Sequence, residues 1–143
     1  MPMPHGRFLE GKTVLLAYQN KLTCELLVSA IKQCGAGTIV SGAPPDMLVR
    51  LKDFKPDIIV CEYTMDQVTG AAFVRFIRQK MGVKAPVVML IHTGDAEGQA
   101  QSRAAGVEQV LMVPFATIDI MTALKKVSGT EVAAVKRELY FGE

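Results

Sequence analysis

An apolar run, Ile58-Ile59-Val60-Cys61, ends at a single acid, Glu62, with Met65 three residues later and Gly70 eight residues later. A carboxylate at the end of a buried segment can accept a transferred group or help to hold a cation. Among apolar neighbours it must find hydrogen-bond donors or take up a proton. The donors at hand are the phenol of Tyr18 and the amide of Gln19, which close another apolar run, Thr13 to Ala17. His92, after the run Pro86 to Ile91, offers a base, a ligand or a pH-dependent charge. No second His and no Cys stands near it at metal-ligand spacing, so it reads as a loop residue. Cys24, Cys34 and Cys61 are widely spaced and read as reduced, buried thiols, which suits a cytoplasmic protein. The chain has no Ser-His-Asp arrangement, P-loop or Gly-x-Gly-x-x-Gly fingerprint, and Gly35-Ala36-Gly37 is too short to count as one.

The elements that would position these groups follow from pattern and punctuation. Thr13 to Ala17 is short enough to be a buried strand. Asn20 caps a helix from Lys21 to Cys34, whose Leu22, Leu26, Leu27, Ala30, Ile31 and Cys34 recur at helical spacing. Thr38 to Val40 is a second strand, and Pro44 and Pro45 open a second helix. Asp57 to Cys61 is the third strand. A helix from Ala71 to Lys80 then brings Phe73, Val74, Phe76 and Ile77 near one face. Pro86 to Ile91 is a fourth strand, and Asp95 caps a polar helix ending at Gly106. Val107 to Val113 is a fifth strand, followed by a helix from Thr117 to Val127. This alternation predicts an α/β fold: a flavodoxin-like, doubly wound, five-stranded parallel sheet of order 2-1-3-4-5 with helices on both faces. Its site lies beyond the carboxyl ends of the strands, where Tyr18, Gln19, Glu62, Ile91, His92 and Val113 gather.

At 143 residues, half of them hydrophobic, the chain has the size and core of one domain. We place that domain at 11–128, with an N-terminal extension at 1–10 and a C-terminal extension at 129–143. In the latter, Val132, Val135, Leu139 and Tyr140 fall near one helical face. Sixteen basic against fourteen acidic residues leave a net charge of +2, which gives no footprint for nucleic acid or an anionic membrane. No run of some 18 apolar residues implies a membrane span, and the first residues lack the apolar segment of a signal peptide.

The chain resembles the bacterial response-regulator receiver domain over about residues 12 to 127. The resemblance rests on Pro56-Asp57 before strand three, Met65 and Gly70 after Glu62, Pro86 to Leu90, Ala104-Ala105-Gly106-Val107, and Pro114-Phe115. It implies a cytoplasmic two-component signalling or phosphorelay module. In that family two acids after strand one hold Mg²⁺, an Asp accepts the phosphoryl group, and a hydroxyl residue and a Lys contact it. The matching positions here are Tyr18 and Gln19, Glu62, Ile91 and Val113, so all five differ. Phosphoryl transfer depends on cations that neutralise the transferring oxygens, and losing them costs orders of magnitude in rate. The resemblance with these departures implies a pseudo-receiver: not an enzyme, without cofactor or metal, and acting through protein contacts. Glu62 then either mimics the phosphorylated state or is a polar residue satisfied within its pocket. Two other readings stay open, an atypical receiver with residual phosphoacceptor activity and a small-molecule-binding flavodoxin-like domain. The expected partner is a protein, a histidine kinase or another receiver, with a homodimer as a further option. The expected partner face is that of helix four, strand five and helix five, with Arg103, Val110, Met112, Ile118 and Met121. Val110 occupies the position where many receivers carry a switching aromatic ring.

Overall fold

The computed structural model describes residues 7–18, 20–65 and 67–128. Five strands, β1 (Thr13–Ala17), β2 (Gly37–Ser41), β3 (Ile58–Glu62), β4 (Val87–His92) and β5 (Gln109–Val113), form one parallel sheet of order β2-β1-β3-β4-β5. Between them run α1 (Lys21–Gln33), α2 (Pro44–Asp53), α3 (Gly70–Lys80) and α4 (Ala96–Ala104), and α5 (117–128) follows β5. The doubly wound topology is the one the alternation predicts.

Strand residues point alternately to the two faces, and each face has its own core. Val14, Leu16, Val60 and Leu90 meet Leu27 and Ile31 of α1 and Ile120 and Leu124 of α5. Leu15, Ile59, Cys61, Met89 and Ile91 meet Met47 of α2 and Phe73, Val74 and Ile77 of α3. Leu9, in the stretch assigned to the N-terminal extension, is buried in the α1–α5 layer, and its N–H donates to the Cys34 carbonyl at 2.9 Å. The proposed extension at 129–143 lies outside the described residues.

The helix starts carry the caps the sequence signals. Asn20 accepts from the Thr23 N–H at 3.0 Å, and Asp95 accepts from the Gly98 N–H at 2.8 Å. Thr69 serves α3 in the same way, accepting from the Ala72 N–H at 3.1 Å. Each such cap satisfies a backbone donor that has no partner inside its helix.

Several expectations need correction. Leu22 and Leu26 are 69% and 55% exposed and do not join the core of α1. Phe76 is 46% exposed, because α3 buries its face through Phe73, Val74 and Ile77 instead. Strand five begins at Gln109, not Val107. The Val107 N–H ends the preceding helix by donating to the Ser102 carbonyl, and the Glu108 carboxylate is drawn to Arg78 and to the Val87 N–H. Asp57 also precedes its strand; its carboxylate accepts from the Thr13 N–H at 2.8 Å, tying the base of β1 to β3. Cys24 is only partly buried, unlike Cys34 and Cys61.

Candidate functional site

The register delivers the site. Ala17 pairs with Cys61, so Tyr18 and Glu62 leave the sheet side by side at its carboxyl edge. Glu62 pairs with Leu90 of β4, and His92 pairs with Val113 of β5. The backbone after Glu62 is held on both sides: the Tyr63 N–H donates to the Leu90 carbonyl at 2.9 Å, and the Tyr63 carbonyl accepts from the Gly70 N–H at 2.6 Å. Gly70 is required there by space. A Cβ at that position would stand 2.5 Å from the Met89 Sδ and 2.7 Å from the Glu62 carbonyl oxygen.

Tyr18 is half-buried against the α1–α5 core, and its phenol is hydrogen-bonded to Thr23. Burial raises its pKa, and the negative charge of Glu62 raises it further, so the phenol keeps its proton. Cys61, one residue before the acid, is pushed up to about 12 by complete burial and by Glu62. Ile91 is buried in the α2–α3 layer and offers only hydrocarbon. Val113 is half-buried, and its carbonyl accepts from the Thr93 N–H at 3.1 Å. His92 is exposed at the end of β4. Gln19 lies outside the described residues.

This donor set does not fit Mg²⁺, which favours octahedral oxygen coordination with carboxylates. Among the described residues at the ends of β1 and β3, this edge supplies the Glu62 carboxylate beside the neutral Tyr18 phenol. Among the described residues no three His, Cys, Asp or Glu side chains converge on a metal-sized site. A cavity of about 680 Å³ borders Tyr18, but it runs outward along α1 past Lys21, Cys24, Val28 and Lys32 to Val40, and neither Glu62 nor His92 lines it.

Residues 14–125 match the family model described as the response regulator receiver domain. The chain belongs to the receiver family. Over 106 residues this receiver is 30% identical to the Regulator of RpoS of Escherichia coli K12, an alignment that covers 74% of this chain and 31% of that protein. The chain thus spans about a third of the length of that relative. Among solved structures, a response regulator from Chloroflexus aurantiacus superposes with a TM-score of 0.77 at 20% identity, covering 81% of this chain and 96% of the other. The chemotaxis response regulator CheY4 of Vibrio cholerae gives 0.74 at 21% identity, covering 81% and 98%. The fold is therefore that of a two-component signalling receiver, and none of its described helices is long and apolar enough to cross a membrane.

The expected partner face is only partly available. Arg103 is exposed on α4, and Ile118 is 42% exposed on α5. Val110 and Met112 are half-buried and line an open groove of about 390 Å³ along β5 and α5. Met121 is 1% exposed and belongs to the core, because it lies on the side of α5 turned to the sheet; it is removed from the face. Sequence reasoning missed the hydrogen bond from the Tyr63 hydroxyl to the Gln101 Oε1 at 2.6 Å. It also missed a bridge beneath the sheet, where Arg78 meets the Glu108 carboxylate at 3.0 and 3.2 Å. The spacing of Glu97 and Gln101, one helical turn apart, was the only local trace of the first.

Proposed function

We propose that this receiver is a pseudo-receiver: it takes no phosphoryl group and works through protein contacts. The observation that carries the reading is the site's chemistry. Tyr18 holds a proton-bearing phenol where a metal ligand would stand, Ile91 is turned into the core, and Val113 offers no cation. A phosphoryl group arriving at Glu62 would bring further negative charge to an existing carboxylate, and Val113 stands where the family's Lys would offset it. The intact sheet and its capped helices leave a scaffold suited to binding. The protein carries no cofactor or metal in this reading, and its partner is another protein of a two-component system, a histidine kinase or a second receiver.

Incubation with acetyl phosphate and Mg²⁺ followed by intact mass tests the first half. No mass gain is expected, and an adduct assigned to this pocket overturns it. Titration with beryllofluoride and Mg²⁺ checks the same point without covalent chemistry, and saturable binding at Glu62 would favour an atypical receiver. The second half places the partner on α4, β5 and α5. Arg103→Glu on the exposed side of α4 should weaken self-association in sedimentation or partner capture while leaving the fold intact. A monomer whose captured partners are all unchanged by the substitution refutes that face.

A further inference from the structure

Helix α4 is poorly anchored. The two residues it buries are Gly98 and Ser102, neither of which supplies a large apolar side chain. The Ser102 hydroxyl is fully buried and has no hydrogen-bond partner among the described residues, which weakens the seat further. The helix start rests on the Asp95 cap, and a Cβ at Gly98 would stand 2.5 Å from the Asp95 Oδ2. A helix with so little apolar contact belongs to the low-stability end of a domain and opens more readily than the sheet beneath it. Among the described residues, the middle of α4 is tied down by one long-range side-chain hydrogen bond. The Tyr63 hydroxyl donates to the Gln101 Oε1 at 2.6 Å across 38 residues of sequence, and the Gln101 Nε2 donates on to the Glu97 Oε1 at 3.0 Å.

The other end of this tie is rigid. Tyr63 directly follows Glu62, its ring packs against the α2–α3 core layer, and its backbone N–H and C=O are both engaged, by Leu90 and Gly70. A shift of the β3 end would therefore carry the Tyr63 ring with it. We infer that Tyr63 is a latch: its phenol pins the middle of α4 to the end of β3, so the β3 end carrying Glu62 sets the position of the α4–β5–α5 face through this bond. Tyr63 and Gln101 are positioning residues for the contact surface. The inference rests on the pseudo-receiver reading for its purpose but not for its mechanics.

Amide hydrogen exchange on the full 143-residue chain tests it. Tyr63→Phe keeps the ring and removes the donor. It should speed exchange of amides 99–105 by about threefold to tenfold, the loss of one net hydrogen bond, while the amides of β1 and β3 keep their rates. Gln101→Leu should do the same, and the double variant should be no faster than the larger single one, because both remove one bond. Unchanged α4 exchange in Tyr63→Phe, or an equal rise in β1 and β3, overturns the latch. Gly70→Ala, which must displace the Glu62 carbonyl or Met89, should alter α4 exchange in the wild-type background and leave it unaltered in the Tyr63→Phe background. An equal effect in both backgrounds also overturns it. If Gly70→Ala fails to fold, the Tyr63–Gln101 cycle decides alone. None of these measurements involves phosphate or a partner, so failure of the latch leaves the pseudo-receiver reading standing, and phosphoryl uptake would leave the latch standing.

Discussion

Removing the Arg78 guanidinium should cost this domain about 2 kcal/mol, a figure set by what the group holds and how wet it is. Arg78 donates to the Val83 carbonyl at 3.2 Å, to the Ala85 carbonyl at 2.8 Å, and to both Glu108 oxygens at 3.0 and 3.2 Å. The same carboxylate takes the Val87 N–H at 2.8 Å at the start of β4. One side chain therefore joins the end of α3, the α3–β4 turn and the base of β5. A fully buried pair broken on one side costs about 3–5 kcal/mol, and an exposed one about 0–1 kcal/mol. The two side chains are 20% and 28% exposed, so Arg78→Ala belongs between these limits, at roughly 2 kcal/mol. Arg78→Lys keeps the charge but cannot fork to two carbonyls and a carboxylate, so it should recover less than half of that loss. Glu108→Gln should cost about 1 kcal/mol, since the amide oxygen can still accept from Val87. Urea unfolding of the wild type, Arg78→Ala, Glu108→Gln and the variant carrying both changes gives the coupling, expected at about 1 kcal/mol. A loss under about 0.5 kcal/mol for Arg78→Ala, with no coupling to Glu108, would place this bridge among the ornamental surface pairs and refute the reasoning.

Glu62→Asp alone should remain unable to bind beryllofluoride in the presence of Mg²⁺, whereas Tyr18→Asp, Gln19→Asp, Glu62→Asp and Val113→Lys together should bind it; recovery by the single change would show that the pocket retains a cation site. Cys61 holds its proton to about 12 in the folded chain, against an ordinary value of 9.0. The unfolded chain releases that proton first, so stability should fall as pH rises from 9 towards 12. Urea unfolding of the wild type and Cys61→Ala at pH 8 and pH 10 should show a smaller fall in the variant, and equal falls would discount the thiol. Leu26→Gln should cost less than about 0.5 kcal/mol, while Leu27→Ala, one residue on, should cost about 2–5 kcal/mol; similar losses for the two would contradict the exposure of Leu26.

The sheet was legible because its strands are short apolar runs bounded by Pro, Gly and capping residues, and these local signals survive folding unchanged. Topology then placed Tyr18 beside Glu62 without any side-chain detail. What failed depended on neighbours. Periodicity put Leu22 and Leu26 within an apolar set on α1, but it cannot say how far the sheet and α5 reach around that helix. Met121 carried the same ambiguity in reverse: an apolar residue on α5 serves a partner or the core according to which side meets the sheet. The start of β5 moved because the Glu108 carboxylate is claimed by Arg78, 30 residues away. The Tyr63–Gln101 bond spans 38 residues and involves no pattern that a linear reading can weigh.

Gly70 separates lineage from competence. Its hydrogen atom faces the Met89 sulfur and the Glu62 carbonyl where any side chain would collide, so this loop demands glycine whatever chemistry residue 62 performs. Such a position reports the mould in which the chain was cast, and it would read the same in a receiver that turns over phosphate every second and in one that never touches it. Assigning activity from this glycine, or from Pro114-Phe115, would therefore classify the casting and miss the tool. On the pseudo-receiver proposal, the discriminating information sits in the side chains of Tyr18, Glu62 and Val113.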